Sequence, residues 1–139
     1  YFEIAIIDPT NIGPTKMDCI AVGLASKHFK LIGTLPGWCP DSFGYHSDDG
    51  AIFHGRGQQL QTYGPRFGRG DIVGCGFCYE SYSIFFTLNG RYLGKAFKNV
   101  KMATPLFPTV GIDAQVDVEF NFGMKPFKFR LCDYISSVK

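Results

Sequence analysis

The sequence comprises 139 residues with a formal net charge of +2, of which 45% are hydrophobic and 16% are aromatic. A nearly neutral chain lacks the dense basic patch that binding to nucleic acid or to an acidic membrane surface requires. Its apolar runs are all shorter than the ~20 residues of a membrane-spanning helix. The length suits one domain with a buried core. Because the chain opens with Tyr1 inside a strand-like segment, we expect residues 1–139 to be a single domain excised from a longer chain.

Strand-like segments follow one another along the chain, separated by turns that contain glycine and proline. The alternation is clearest near the C-terminal end, where Val116, Val118 and Phe120 alternate with polar residues, as in a half-buried strand. Asn89 and Gly90 lie between two apolar runs and predict a tight hairpin turn. The predicted strands and the hairpin cover residues 1–7, 19–25, 71–79, 81–97, 106–112 and 116–123.

Helical patterns are missing from this sequence, since no segment keeps a 3.6-residue apolar period for three turns. Short strands at roughly 8–12-residue spacing are typical of a β-sandwich or a barrel. We therefore predict an all-β domain with minimal helix, built as a β-sandwich of two antiparallel sheets.

The five cysteines are odd in number and irregularly spaced. This pattern is typical of reduced thiols in a cytoplasmic or nuclear setting rather than of a secreted disulfide framework. Cys75 and Cys78 form a C-x-x-C pair, but such a pair is redox-active where it begins a helix. Within a strand the two side chains point to opposite faces, so Cys75 is predicted to be a small core residue.

The segment DSFGYHSDDGAIFHG, residues 41–55, contains the residue types of a hydrolase. Ser42, His46 and Asp48 could form a catalytic constellation. However, the segment lacks the G-x-S-x-G turn that exposes a nucleophilic serine. An extended strand would also separate Ser42 from His46 by ~13 Å.

The same segment also contains possible metal ligands, namely His46, Asp48, Asp49 and His54. These residues straddle a turn, whereas a zinc site needs convergent ligands. The spacing of a calcium loop is absent. Asp-Asp-Gly is favoured in turns, because Asp accepts backbone N–H bonds and Gly adopts positive φ. We therefore predict a turn between two strands, with a hydrolytic or metal-dependent enzyme using Ser42, His46 and Asp48 as the less favoured alternative.

Seven blocks occur in a recognisable order and spacing: YFEI, IAVGLA, LPGW, SFGYHSDDGAIFHG, YGPRFGRGDIVGCGF, FFTLNGRYLGKAF and LFPTVGI. In this combination the sequence resembles a SPRY domain, the part shared by B30.2 domains. It is most similar to the Ran-binding-protein-M branch and to stand-alone SPRY proteins. The resemblance implies a bent sandwich of two antiparallel sheets, without catalytic activity, cofactor or metal.

The resemblance also implies where a partner would bind, since peptide-binding SPRY domains use loops gathered at one edge of the sandwich. The aromatic residue of that site is matched here by Phe53, and Trp38 is the single tryptophan of the chain. Tryptophan is enriched at interaction hot spots, so Trp38 is either an anchor or a core residue. The complete set of predicted partner-binding residues is Thr10, Asn11, Leu35, Pro36, Gly37, Trp38, Phe53, Arg56, Asp113, Ala114 and Gln115.

Three positions differ from the best-known peptide-binding members. Residues 10–12 occupy the loop where those members carry an arginine, residues 113–115 replace a Trp-Gly pair, and Phe53 replaces a tyrosine. These differences argue against the preference for Asp/Asn-rich peptides.

Three loop arginines, Arg56, Arg66 and Arg69, could pair with an acidic partner segment or be solvated. Arg69 belongs to an R-G-D triplet, which we interpret as a turn leading into a strand.

The expected function is recognition of a partner protein or short peptide by a non-catalytic domain that is monomeric on its own. The family resemblance suggests a scaffold or a ubiquitin-ligase receptor in the cytoplasm, and possible presence in the nucleus. The alternative from another class is a structural domain that packs against other parts of its own parent protein.

Overall fold

The computed structural model describes residues 1–9, 11, 18–55, 58–101 and 103–138, with residues 58–60 described by their backbone alone. The predicted all-β fold is confirmed. The described chain contains ten strands and one short helix. Their bounds are β1 Phe2–Ile7, β2 Cys19–Ala25, β3 Ser42–His46, β4 Ala51–His54, β5 Gln58–Thr62, β6 Ile72–Cys78, β7 Ser83–Leu88, β8 Arg91–Phe97, β9 Phe107–Asp113, β10 Asp117–Asn121 and α1 Leu131–Val138.

The strands form two five-stranded sheets, in which all described pairings are antiparallel. The first sheet has the order β10-β1-β6-β7-β8, and the second has the order β5-β4-β3-β2-β9. The predicted hairpin turn is confirmed between β7 and β8, where Asn89 and Gly90 have φ values of 50° and 85°. The predicted turn between β3 and β4 is confirmed as well.

The core lies between the sheets, where alternate residues of each strand point inward. Ile4 of β1, Val22 of β2, Tyr45 of β3 and Phe86 of β7 belong to one buried apolar cluster. Cys75 is also buried in this cluster, as predicted from the strand alternation. All five cysteines are free thiols.

Two elements were not predicted. The sequence of β5, QQLQT, is mostly polar and lacks an apolar alternation, so nothing in it favoured a strand. Helix α1 is only eight residues long, which is too short for a recognisable helical period. Within the described ranges, no helix is long and apolar enough to cross a membrane.

The outer face of each sheet is covered by a segment that lies outside the strands. On the first sheet, aromatic side chains from the segment 126–138 pack on Tyr1, Phe85 and Tyr92. We call this segment the C-terminal cover. On the second sheet, residues 29–38 lie over β2, β3 and β9, and we call this segment the loop cover.

Candidate partner-binding groove

A groove lies between the loop cover and strand β9. Its volume is about 520 Å³. Leu31, Ile32 and Trp38 of the loop cover are exposed there, and among the lining residues that the structure describes the charged one is Asp113 at the end of β9. The residues that line the groove are Phe29, Leu31, Ile32, Gly33, Thr34, Leu35, Trp38, Thr109, Val110, Gly111, Ile112 and Asp113.

The loop cover is held to the sheet by hydrogen bonds from β3. The Ser42 hydroxyl donates to the Cys39 carbonyl oxygen over 2.6 Å and accepts from the Gly37 backbone N–H over 2.8 Å. His46 Nε2 donates to the Pro36 carbonyl oxygen over 2.8 Å, since a carbonyl can only accept. Hydrogen bonds between buried polar groups restrict the conformation of the residues they join, so residues 36–39 form a fixed base for the groove.

Two glycines of the sheet allow the loop cover to lie flat against it. A Cβ on Gly44 would lie 2.1 Å from the Pro36 carbonyl oxygen, and a Cβ on Gly111 would lie 2.5 Å from Leu35 Cδ2. Such distances are well below van der Waals contact. Leu35 packs with Cys19 and Ala21 in a small buried cluster on this face.

Trp38 lies at the outer end of a row of three rings that pack at tilted angles. Its ring is 5.6 Å from the ring of His46, which is 4.1 Å from the ring of Phe53. Trp38 is 46% exposed, whereas Phe53 is 8% exposed. Trp38 therefore contacts His46 on the sheet and leaves nearly half of its surface exposed to solvent.

Burial lowers the pKa of His46, although its hydrogen bond to Pro36 and the nearby carboxylates of Asp48 and Asp49 act in the opposite direction. At neutral pH the ring is neutral, and Nε2 carries the proton that Pro36 accepts. Burial, with Asp48 beside it, raises the pKa of the neighbouring Cys19 thiol to about 12, so this thiol is protonated and a poor nucleophile.

Comparison with known proteins identifies the fold. The SPRY domain family profile matches residues 1–125. The chain belongs to the SPRY domain family. A Ran-binding proteins 9/10 homolog of Drosophila melanogaster is 42% identical over 141 residues, covering 100% of this chain and 14% of that protein. A Ran-binding protein M homolog of Arabidopsis thaliana is 40% identical, covering 99% of this chain and 28% of that protein.

Solved structures agree with this assignment. A crystal structure of a human SPRY domain matches with a TM-score of 0.66 and 32% identity, covering 90% of this chain and 77% of that one. The SPRY domain of human HERC1 matches with a TM-score of 0.68 and 22% identity, covering 89% and 75%, and supports the fold alone. The chain spans less than a third of the length of the two curated relatives named above.

The SPRY domain brings together several of the predicted partner-binding residues. Leu35, Trp38 and Asp113 line the groove. Pro36, Gly37 and Phe53 lie beneath it and are buried, so Phe53 supports the groove instead of presenting an open aromatic surface. Its burial follows from Gly37, whose Cβ position is only 2.6 Å from the Phe53 Cβ atom.

The remaining predicted binding residues that the structure describes are absent from the described lining of the groove. Asn11 is exposed, and its backbone N–H donates to Asp8. Ala114 is partly buried against the core, and Gln115 is exposed. Thr10 and Arg56 lie outside the described residues.

Sequence reasoning missed the apolar lining of the groove. Leu31 and Ile32 are each 90% exposed, and Ile112 is 46% exposed. The signal that could have found Leu31 and Ile32 is their position in an otherwise polar connection, where no strand alternation explains them.

Arg69 does not match either interpretation made from the sequence. Its guanidinium forms ion pairs with Asp8, at 3.2 Å, and with Asp18, and its side chain is mostly buried. It therefore ties the loop after β1 to the start of β6, and it is neither solvated nor free for a partner. The predicted R-G-D turn is confirmed, since Asp71 Oδ2 accepts from the Gly68 backbone N–H and β6 begins at Ile72.

The supposed hydrolase and metal ligands have separate structural partners. Ser42 and His46 both hold the loop cover. Asp49 accepts from the Ala51 backbone N–H, and His54 Nδ1 donates to the Ser42 carbonyl oxygen while its ring stacks on Phe43.

Of the four metal ligands considered from the sequence, His46 and Asp48 do lie together. They are joined by Cys19 of β2, which the sequence alone did not connect with them.

Proposed function

We propose that this SPRY domain binds a partner peptide or protein surface in the groove between the loop cover and β9. The observation that carries the proposal is the exposure of Leu31, Ile32 and Trp38 around one groove whose base is fixed by buried hydrogen bonds. Exposed apolar residues clustered on a rigid frame are typical of protein-interaction surfaces.

The lining suggests the chemistry of the partner. An apolar segment would bury its side chains against Leu31, Ile32 and Trp38, and a lysine or arginine beside it would pair with Asp113. Aromatic residues such as Trp38 contribute a large share of the binding free energy in interfaces of this kind.

We also propose that the domain has no catalytic role. The hydroxyl of Ser42 is fully buried and makes hydrogen bonds with the loop cover, so its proton and lone pairs are already used there. A nucleophilic serine would need to reach a substrate and a base.

The context in the parent protein is a further part of the proposal. We propose a role within a scaffold or a ubiquitin-ligase receptor in the cytoplasm, or also in the nucleus, with the isolated domain monomeric. Several relatives are named for binding Ran, so Ran is one partner to test directly.

The test starts from a peptide selected on the wild-type domain from a random phage library, and its affinity is measured by titration calorimetry. We expect Trp38→Ala to weaken binding by about 2 kcal/mol or more, roughly thirtyfold. The matched control is Met124→Ala, because Met124 is 95% exposed and lies outside the groove. Circular dichroism checks that both variants are folded.

The single variant Trp38→Ala is preferred to a double variant that includes Phe53. Since Phe53 is buried, its truncation would unfold part of the groove and confuse loss of contact with loss of structure. Unchanged affinity in folded Trp38→Ala would contradict the proposed site.

A second candidate function has an observation in its favour, namely a separate exposed aromatic surface. Phe120 and Phe122 of the β10 region stack with ring centroids 5.3 Å apart, and they are 41% and 61% exposed. Such a surface suits packing against other parts of the parent protein. If Phe122→Ala reduces association with the flanking parent segments while Trp38→Ala does not, this second function is favoured.

A further inference from the structure

Three side chains with metal-binding atoms converge at one end of the loop cover. Cys19 begins β2, His46 ends β3, and Asp48 lies in the turn that follows. One ligand atom from each residue lies within 4.8 Å of the other two. The Cys19 Sγ atom is 3.6 Å from Asp48 Oδ1.

The strand pairing makes this arrangement a fixed one. His46 is opposite Ala21 in the register between β2 and β3, which places Cys19 beside the turn. The Ser47 backbone N–H donates to the Ile20 carbonyl oxygen over 2.9 Å, and the Ile20 N–H donates to the Ser47 hydroxyl over 2.8 Å. Two hydrogen bonds between the strand and the turn therefore hold the ligands in place before any ion binds.

The geometry fits a tetrahedral ion. With a zinc–sulfur distance of ~2.3 Å and a zinc–oxygen distance of ~2.0 Å, tetrahedral angles separate the sulfur and oxygen atoms by ~3.5 Å. The observed separation of 3.6 Å is close to this value. Thiolate, imidazole and carboxylate ligands together favour Zn²⁺ and disfavour Mg²⁺ and Ca²⁺.

The second nitrogen of His46 provides an independent indication. Its Nε2–H donates to the Pro36 carbonyl oxygen over 2.8 Å. Metal-binding histidines usually donate their other ring N–H to a carbonyl or carboxylate, which fixes the ring and leaves one nitrogen for the ion. In this tautomer Nδ1 has the free lone pair.

Asp113 is a candidate for the fourth position of a tetrahedral site. Asp113 of β9 is directly opposite Cys19 in the register between β9 and β2, so both side chains are on the same face. Asp113 is exposed and can rotate, and water is the alternative occupant of this position.

We propose that Cys19, His46 and Asp48 form a Zn²⁺ site at the edge of the loop cover. On binding, the Cys19 S–H bond is replaced by an S–Zn bond, and the proton passes to the solvent. The ion joins β2, β3 and the turn, and through His46 it holds Pro36 in the base of the groove. The site itself does not depend on the proposed function.

The experiment uses the tag-free 139-residue chain and two probes, Zn²⁺ in equilibrium dialysis and Co²⁺ in absorption spectroscopy. We expect one ion per chain and a thiolate-to-cobalt charge-transfer band. Cys19→Ser and Asp48→Asn should each weaken Co²⁺ binding by about tenfold or more, and Cys19→Ser should abolish the band. Cys132→Ser is the matched control, since it removes the exposed thiol of α1.

Asp48 is exposed, so Asp48→Asn is expected to fold even if Cys19→Ser does not. Three results would overturn the site: no Zn²⁺ bound, Co²⁺ bound without the thiolate band, or equal binding by wild type and the folded Asp48→Asn variant.

Discussion

The C-terminal cover and the loop cover contact the two sheets of the sandwich in different ways. In the C-terminal cover, Phe129 is 8% exposed, and the backbone N–H groups of Lys128 and Phe129 donate to the buried carboxylate of Glu3 over 2.8 Å and 3.0 Å. In the loop cover, Leu31 and Ile32 are each 90% exposed. One segment directs its aromatic side chains and backbone donors toward the sheet, and the other leaves large apolar side chains in solvent.

We interpret this difference as a separation between stability, supported by the C-terminal cover, and the partner binding that we propose for the loop cover. A cover whose apolar atoms are already in contact with the sheet has little left for a partner, and its removal would uncover the sheet. The loop cover uses Leu35 and Pro36 for its attachment and keeps Leu31, Ile32 and Trp38 outward. Variants in the two covers should therefore affect different measurements.

The largest expected effect is on stability and belongs to the C-terminal cover. Phe129→Ala removes a ring that packs on Tyr1, Phe85 and Tyr92, and we expect a loss of ~3–5 kcal/mol in the free energy of unfolding. Urea denaturation measures it.

Phe122→Ala is the matched control for this prediction, because Phe122 is 61% exposed and should lose much less stability. A loss below about 1 kcal/mol for Phe129→Ala would mean that this cover is dispensable, and the contrast between the covers would fail.

A smaller effect on stability is expected when His46, which attaches the loop cover to β3, is titrated. Burial lowers the pKa of His46 in the folded state from its ordinary value of 6.5, against the opposing influence of its hydrogen bond to Pro36 and of Asp48 and Asp49. As the pH falls below 6.5, the unfolded chain therefore binds the proton first, and the free energy of unfolding decreases until the folded-state pKa is reached. Above pH 6.5 the ring is neutral in both states and contributes no pH dependence.

Two measurements test this prediction. Proton NMR of the histidine rings should place the His46 titration below pH 6.5, with His46→Gln used to assign the resonance. Urea denaturation should show a slope of stability with pH that is reduced in the His46→Gln variant. A His46 titration above pH 6.5 would show that burial is not the dominant influence on this ring.

More of the fold than of the groove could be predicted from the sequence, for a physical reason. Alternation in residues 116–123, the Asn89-Gly90 turn and the Asp48–Gly50 turn are local signals, and the structure has the expected strands and turns there. The groove depends on how residues 29–38 lie across β9, which is set by contacts between residues far apart in sequence. The burial of Phe53 and the proximity of Cys19 to His46 also depend on contacts between residues far apart in sequence.

Arg69 shows the same limit of sequence-based prediction for a charged side chain. Its triplet predicted a turn correctly, since that depends on neighbouring residues. Its partners Asp8 and Asp18 are 61 and 51 positions away in sequence, and no local pattern connects them. Side-chain roles at the edge of a sandwich are decided by which loops meet there.

The smallest effect on stability is expected for a variant of the loop cover that should also lose binding. This variant tests the difference between the two covers most directly. In the double variant Leu31→Ser/Ile32→Ser, both side chains are almost fully exposed, so the free energy of unfolding should change by no more than about 0.5 kcal/mol. The affinity for a groove-binding peptide should nevertheless fall, since the same side chains line the groove. Urea denaturation and titration calorimetry on the same preparation measure both quantities, with Met124→Ser as the exposed apolar control. Unchanged affinity in this variant would show that Leu31 and Ile32 do not contact the peptide. A large loss of stability would show that Leu31 and Ile32 attach the loop cover to the sheet instead of binding a partner.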